Sequence, residues 1–474
     1  MSSPSHQCPL CAAADTEYEF QIRNRHLRRC FNCELLFATP FPKRGDAGLG
    51  ETNTRDFSGD YPTAESVPVG QFLDCLRRHS LGTLQQIVAA GLGANELLES
   101  ARAQGIKSFE SVSHDSLRGE VDGCALLEVF GAAAHPETQL LHVHGLLKPD
   151  GVLLLTLPML DSVQAHRQKG HWSGFNVNRA AYFDTHSLYS LLIRYGFCDI
   201  KSWPHDNDTV VMCRKRSLQK EQYSPELSVV VPVYNEQATC KELIDAVLAK
   251  NLDGIKRELV IVESNSTDGS REIVKRYEAH PDVCVIYEDQ PRGKGHAVRN
   301  GISRANGQIL LIQDADLEYD VEDYDALLEP LLARRRLFVL GSRHKGDWKM
   351  REFEDRRWLG AVFNFGQIFF TGLINVTCAT RLKDPFTMYK VFHRECLSGL
   401  RLEADRFDLD WEIVIKFVRK GLIPREIPVN YVSRSFADGK KVRPILDPLL
   451  WFRALVRFRY GPLFSQDDSS RRMP

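Results

Sequence analysis

The chain has almost no net charge. Its 474 residues carry a formal net charge of −1 with charged residues at 26%. No global field of the kind that draws a protein to nucleic acid is therefore expected. A secretory signal is also missing, because Met1-Ser2-Ser3-Pro4-Ser5-His6-Gln7-Cys8 offers no basic segment followed by an apolar core. Twelve cysteines are too few for a disulfide scaffold at this length. Four of them stand in two close pairs, which favours a reducing cytosol. No internal repeat and no low-complexity tract occurs. A clean hydrophobic span is absent too. Trp358 to Thr380 holds no charged residue between Arg357 and Arg381 and has the length to cross a bilayer. Asn364, Gln367, Thr371, Asn375 and Thr377 interrupt it, with Gly360, Gly366 and Gly372. An amphipathic helix lying on the protein core, touching a membrane surface at most, is the expectation.

What is present is a globular composition, 43% hydrophobic, in a chain long enough for two or three domains. Residues 1–42 carry the paired cysteines, and 43–70 read as a Gly-, Ser-, Thr- and Pro-containing linker. Residues 71–216 alternate helical and strand patterns. After a short polar link, strands are expected at 227–233, 258–262, 283–287, 308–313 and 337–341. Helical periodicity fills Gln237–Lys250 and Gly269–Glu278. Such alternation predicts an α/β protein with a mostly parallel sheet.

In a sheet of that kind, ligands bind at the carboxyl ends of the strands. The first strand runs into Pro232-Val233-Tyr234-Asn235-Glu236, the second into Glu263-Ser264-Asn265-Ser266-Thr267-Asp268-Gly269-Ser270. Arg292-Gly293-Lys294-Gly295-His296 follows the third, a glycine turn whose backbone could approach a phosphate. The fourth ends in Asp314-Ala315-Asp316. D-x-D alone occurs by chance, but two carboxylates at the end of a buried strand suit a hard divalent cation such as Mg²⁺ or Mn²⁺. The set as a whole suits a nucleoside-diphosphate ligand.

Over residues 226–445 these motifs, with Gly341-Ser342-Arg343, Asp384-Pro385-Phe386-Thr387-Met388-Tyr389-Lys390 and Arg434 to Lys441, resemble the family 2 glycosyltransferases of GT-A fold. The polyprenyl- or dolichyl-phosphate sugar synthases are the most similar group. The resemblance implies an NDP-sugar donor. Pro232, Tyr234, Glu236, Glu263 and Asn265 would line its base and ribose pocket. Asp314 and Asp316 would hold Mg²⁺ or Mn²⁺, with Glu318 as third ligand in a position that is often Gln. Lys294, Arg343 and Lys440 would meet phosphate charge. Glu263 departs from the family's usual Asp.

The acceptor stays open at this level. A sugar hydroxyl needs a general base, which Asp408, Asp410 or Glu412 could supply; Asp410 is the catalytic candidate. A lipid phosphate is already ionised and needs cations instead. Arg356, Arg357, Arg381, Lys383, Arg434, Lys440 and Lys441 offer them, and Arg357, Arg434, Lys440 and Lys441 are the expected acceptor-phosphate contacts. Polyprenyl phosphate is the leading acceptor, a glycan hydroxyl the other. Residues 446–474 form an amphipathic tail in which Trp451 to Tyr460 alternates bulky apolar residues with Arg. Such a helix either lies at an interface or packs on its own domain.

Cys8-Pro9-Leu10-Cys11 and Cys30-Phe31-Asn32-Cys33 give two C-x₂-C knuckles eighteen residues apart, the spacing of a structural Zn²⁺ ribbon. Residues 71–216 resemble a class I methyltransferase, through Leu147 to Pro158 and Ala181-Tyr182-Phe183, Ser187-Leu188 and Tyr195-Gly196-Phe197. The cofactor motif is defective. Ala89 stands where that family carries an acid, and Asn95 replaces the third glycine of Gly91-Leu92-Gly93-Ala94-Asn95. Ser113 falls at the expected end of the second strand, with Glu110 out of register. A degenerate domain that no longer uses S-adenosylmethionine is the expectation. His142, His144, His166 and His171 read as helix-surface and loop positions. The whole predicts a cytoplasmic enzyme, peripheral at most on the inner face of the cell membrane.

Overall fold

The computed structural model describes residues 7–9, 13–22, 25–31, 35–39, 69–80, 82–110, 117–131, 136–175, 179–205, 208–216, 226–333, 335–344, 357–432 and 446–463. Two compact units divide the chain: Met1–Gln222 with Gln466–Pro474, and Tyr223–Ser465.

The first unit holds two sheets. Strands β1 (Thr16–Ile22), β2 (Arg25–Cys30) and β3 (Leu36–Thr39) form an antiparallel meander. The larger sheet is built from β4 (Gln86–Gly91), β5 (Lys107–Glu110), β6 (Val121–Leu127) and β7 (Leu147–Leu157). Beyond a two-residue strand β8 (Ala181–Tyr182), β9 (Phe197–His205) and β10 (Asp208–Lys215) complete it. Its order is β5-β4-β6-β7-β10-β9, with β10 antiparallel to both neighbours. The run Val152–Leu155 is fully buried, as a strand covered on both faces must be. Residues 1–42 and 71–216 fall within one unit, in which β3 pairs with β8 through Leu36–Tyr182 and Phe37–Ala181. The second parallel strand is described to Glu110, opposite Ala89, and Ser113 lies outside the described residues.

The second unit is a seven-stranded sheet. Its strands are β11 (Leu227–Val233), β12 (Arg257–Glu263), β13 (Val283–Tyr287), β14 (Ile309–Ile312), β15 (Phe338–Ser342), β16 (Lys390–His393) and β17 (Arg425–Pro428). The order is β13-β12-β11-β14-β16-β15-β17. The first five are the strands read from the sequence, within one residue at each end. β16 runs antiparallel to β14 and β15, so the sheet is mixed. The helices expected over Gln237–Lys250 and Gly269–Glu278 shrink to Cys240–Ala249 and Ser270–Lys275. The backbone amides of Glu236 and Gln237 are committed to Ser270 Oγ (2.9 Å) and Asp268 Oδ2 (3.0 Å), which keeps that segment out of the helix.

The uncharged stretch becomes the helix Arg357–Cys378, and no described helix is long and apolar enough to cross a membrane. Its polar residues turn to their own unit. Gln367 donates to Asp384 Oδ1 (3.0 Å), Asn375 to the Leu382 carbonyl (2.8 Å), and Thr377 to its own helix at Leu373 (2.7 Å). The tail helix Leu446–Tyr460 packs there as well, with Trp451 stacked near Trp411 and set edge-on to Phe370.

Candidate active site

At the carboxyl edge of the second unit's sheet, the loops after β11 and β12 are zipped together. Asn235 N donates to Ser266 Oγ (3.0 Å), and Thr267 N donates to Asn235 Oδ1 (2.8 Å). Asn235 and Asn265 both take positive φ, 53° and 56°, a region asparagine tolerates. Glu263 ends β12 wholly buried and accepts from Ser266 N (2.6 Å). Among the described residues its second oxygen has no hydrogen-bond partner, and Arg271 stands 3.4 Å away. Pro232 is half-buried at the end of β11, and Tyr234 is exposed beside Glu236. Arg271 also donates to Asn265 Oδ1 (2.8 Å) and lies over the Tyr287 ring. The expected base-and-ribose residues Pro232, Tyr234, Glu236, Glu263 and Asn265 thus share one pair of interlocked loops.

The Asp314-Ala315-Asp316 triplet leaves β14 on a braced turn. Gln313 is fully buried, with its amide donating to the Asp314 carbonyl (3.0 Å) and its oxygen accepting from Tyr324 (2.9 Å). Thr239 donates to the Ala315 carbonyl (2.7 Å), tying the triplet to the first loop. Leu317 adopts φ 50°, and Glu318 N then reaches Asp316 Oδ1 at 3.2 Å. Lys294, first residue of the helix Lys294–Arg304, forms an ion pair with Asp314 Oδ1.

The glycines flanking Lys294 have a different use from the one expected. A Cβ on Gly293 or Gly295 would strike the carbonyls of Asp405, or of Ala404 and Arg406. They make room for residues 404–406, which are held by His296 N to the Asp405 carbonyl (3.0 Å) and Arg299 Nε to the Ala404 carbonyl (3.0 Å). Glu412 fixes the same segment by accepting from Glu403 N and Ala404 N (2.7 Å) and from Lys416 (2.7 Å). That close passage carries the helix Leu409–Arg419, and with it Asp410, up to Lys294.

Three acids stood as candidate bases, and the structure separates them. Asp408 accepts from Arg406 N (3.0 Å) in a local turn, and Glu412 is the clamp just described. Asp410 alone faces the charged cluster, accepting from Lys390 Nζ at 2.9 Å. Burial pushes its carboxyl up, Lys390 and Lys294 pull it down, and the like charge of Asp314 adds to the rise; the outcome is upward. Burial alone would lower Lys294, but Asp314 and Asp410 outweigh it and hold the ammonium above its usual range. Lys390 is lowered by burial against the pull of Asp410.

Arg343, expected to meet phosphate, is committed elsewhere. Its guanidinium grips the fully buried Asp384 with two bonds of 2.8 and 2.7 Å and lies over the Tyr431 ring. Burial alone would raise Asp384, but the Arg343 guanidinium outweighs it and holds the carboxyl below its usual range. Tyr431 in turn donates to Glu318 Oε2 (2.9 Å), so the expected third ligand is steadied by the same aromatic. Arg357 opens its helix, while Arg434, Lys440 and Lys441 lie outside the described residues.

The donor set fits a hard cation. Asp314 and Asp316 project from one strand end, and Asp314 already holds a cationic group, the Lys294 ammonium. Among the described residues no three His, Cys, Asp or Glu side chains converge as a cage. Mg²⁺ is commonly held by one or two carboxylates with substrate phosphates completing the shell, so a full protein cage is not required.

In the first unit Cys8 and Cys30 are buried, and each closes a like turn. Cys8 N donates to the Ala13 carbonyl (2.9 Å), Cys30 N to the Leu35 carbonyl (3.0 Å). Cys11 and Cys33 lie outside the described residues. The glycine turn after β4 exists, with Gly91 at φ 103° and Gly93 at φ 78°. Its fit to S-adenosylmethionine is poor. Ala89 brings no carboxylate, and Leu92 N is spent on the Leu127 carbonyl (3.0 Å). Glu110 does put one acid at a strand end.

Sequence reasoning missed two charged residues, Asp384 and Lys390, although both lie in the segment Asp384 to Lys390. The available signal was a lysine opening the apolar run Val391-Phe392, a position that a strand buries.

Residues 228–400, within the second unit, match the glycosyl transferase family 2 profile. Among similar proteins is the dolichol-phosphate mannosyltransferase of Pyrococcus furiosus, 26% identical over 218 residues. That match covers 45% of this chain and 59% of the archaeal protein. Dolichyl-phosphate beta-glucosyltransferase of Dictyostelium discoideum is 27% identical over 249 residues, 49% of this chain and 74% of that one. The chain therefore spans about three-fifths of the first relative's length and about three-quarters of the second's. Among solved structures, glucosyl-3-phosphoglycerate synthase of Mycobacterium tuberculosis, crystallised with Mn²⁺, UDP-glucose and phosphoglyceric acid, aligns at 19% identity with a TM-score of 0.39. The alignment covers 52% of this chain and 82% of that one.

Proposed function

We propose that the second unit moves a hexose, with inversion, from an NDP-sugar to a polyprenyl phosphate. The observation that carries this reading is the cluster of Asp314, Lys294, Asp410 and Lys390 at the carboxyl edge of the sheet. In this reading an acceptor phosphate oxygen attacks the anomeric carbon, the bond to the donor diphosphate breaks, and the nucleoside diphosphate leaves. Asp314 and Asp316, with Glu318, would hold Mg²⁺ or Mn²⁺, which supplies charge neutralisation at the departing diphosphate. Lys294 adds a fixed ammonium where that charge develops. Glu263 and the interlocked loops hold the base and ribose. Arg357, Arg434, Lys440 and Lys441 are our candidates for the acceptor phosphate.

Two observations support a lipid-linked acceptor. The relatives named above act on dolichyl phosphate by their names. The helix Arg357–Cys378 exposes Ile368, Phe369 and Val376, and the tail helix exposes Phe452, Val456 and Tyr460, two apolar faces suited to the surface of a bilayer. We accordingly place the protein at the inner face of the cell membrane as a peripheral enzyme. One observation favours a glycan hydroxyl instead: Asp410 keeps part of its carboxyl exposed at the charged cluster, where it could take a proton.

For the first unit we propose a Zn²⁺ bound by Cys8, Cys11, Cys30 and Cys33. The twin turns at Cys8 and Cys30 support it, and metal analysis of the purified protein should find one zinc per chain. The sheet that follows is read as a methyltransferase-like scaffold without catalysis. The deciding experiment offers labelled UDP-, GDP-, CDP- and dTDP-hexoses with Mg²⁺ or Mn²⁺ to polyprenyl phosphate and to oligosaccharides. Label moving into the organic phase supports the lipid phosphate. Label appearing only on oligosaccharide replaces it with the hydroxyl acceptor, and no transfer from any donor overturns the assignment.

A further inference from the structure

Lys390 is the most costly side chain in the second unit to leave unexplained. It opens β16 opposite Leu340, and its side chain has no exposure to solvent. A buried ammonium survives only when paired and hydrogen-bonded. Lys390 Nζ meets the Thr387 carbonyl and, at 2.9 Å, Asp410 Oδ1. Asp410 is itself 13% exposed and acts on Lys294, whose ammonium is paired with Asp314. Charges therefore alternate from the floor of the sheet to the strand-end acids: Lys390, Asp410, Lys294, Asp314. A pair serving only stability is often replaceable by apolar residues without loss. This one ends in the site.

We propose that Lys390 is a positioning residue for glycosyl transfer, satisfying Asp410 from below so that Lys294 stays directed at Asp314 and the leaving diphosphate. The inference rests on the glycosyl-transfer reading of the site. Without the Lys390 ammonium at 2.9 Å, Asp410 loses the cation that satisfies it and draws Lys294 away from the diphosphate. Lys390 touches no substrate in this account; it acts through Asp410.

The test is a double-mutant cycle with the full-length protein. Lys390→Met should lower kcat by about 10²-fold, the size of loss that a small misplacement of a catalytic group produces. The donor KM and the melting shift given by NDP with Mn²⁺ should stay within about threefold of wild type, because the base and ribose loops are untouched. Lys390→Arg, which keeps the charge, should recover much of the rate. Lys390→Met combined with Asp410→Asn should be no slower than Asp410→Asn alone, since the acid that diverts Lys294 is gone. Independent, multiplying losses in the double variant would overturn the proposal, as would a Lys390→Met enzyme of wild-type rate. If Lys390→Met does not fold, Lys390→Gln enters the same cycle under the same criteria. A wild-type protein that transfers no sugar at all would instead overturn the functional reading on which the inference rests.

Discussion

The six-stranded sheet of the first unit and the seven-stranded sheet of the second share a way of being built and differ in what stands at their strand ends. In the first unit β4, β5, β6 and β7 run parallel, and the turn after β4 has two glycines at positive φ. Its first strand closes on Ala89, Ala90 and Gly91, and the amide of Leu92 is satisfied by its own chain. In the second unit the corresponding edge carries Glu263, Asp314, Asp410, Lys294 and Lys390, all mostly or fully removed from water. Burying charge costs free energy that packing alone does not require. In the first unit the charges near the strand ends are Glu110, Glu128 and Asp161, and Glu128 lies against its own chain's Arg179, whereas the second unit gathers acids and lysines at one place.

The largest effect that would break this comparison is Asp314→Ala. Sugar transfer should fall by about 10³-fold, as when a group that stabilises transition-state charge is removed. Circular dichroism should barely move, and melting should fall less than in Asp384→Asn, because Lys294 keeps some exposure when Asp314 is removed. Next comes the buried pair behind the site. Asp384→Asn leaves the Arg343 guanidinium uncompensated and should cost about 3–5 kcal/mol in denaturant unfolding. Because Asp384 titrates below its ordinary value in the folded protein, its stabilisation is complete above pH 3.8 and is lost as pH falls through the lower folded value. Stability of the Asp384→Asn variant should therefore vary less with pH in that acidic window than wild type.

A matched pair of glycine changes sharpens the contrast. Gly293→Ala and Gly91→Ala each force a Cβ onto a carbonyl at positive φ, and strain of this kind is of order 1–3 kcal/mol. The first should lower both melting temperature and transfer rate, because Lys294 and the 404–406 segment move together. The second should lower melting only, with transfer within about twofold of wild type; a tenfold loss of rate would make the first unit part of the catalyst. Smallest of all is the response to S-adenosylmethionine. Millimolar cofactor should leave the melting temperature unchanged, whereas NDP with Mn²⁺ should raise it by mass action. A clear shift with S-adenosylmethionine would show that Glu110 and the glycine turn suffice for binding.

The strands of the second unit were legible because β-branched apolar runs such as Leu227 to Val233 leave no other reading. Their carboxyl ends were legible for the same reason, and these supplied Asp314, Glu263 and Lys294. Partners across the sheet were not. Nothing local in Asp384 says that it grips Arg343, forty-one residues back, or in Lys390 that it meets Asp410 on a later helix. The glycines beside Lys294 misled in a related way. Their spacing suggests a phosphate cradle, but the room they make is filled by residues 404–406 of the same chain.

The central claim is that Asp314 and Asp316 hold a divalent cation together with the diphosphate of the donor. Calorimetric titration of Mn²⁺ into wild-type protein saturated with the preferred NDP tests it directly, beside the Asp314→Ala, Asp316→Ala double variant. The account predicts one Mn²⁺ bound per wild-type chain and loss of that binding in the variant. Equal Mn²⁺ binding by both proteins would contradict it.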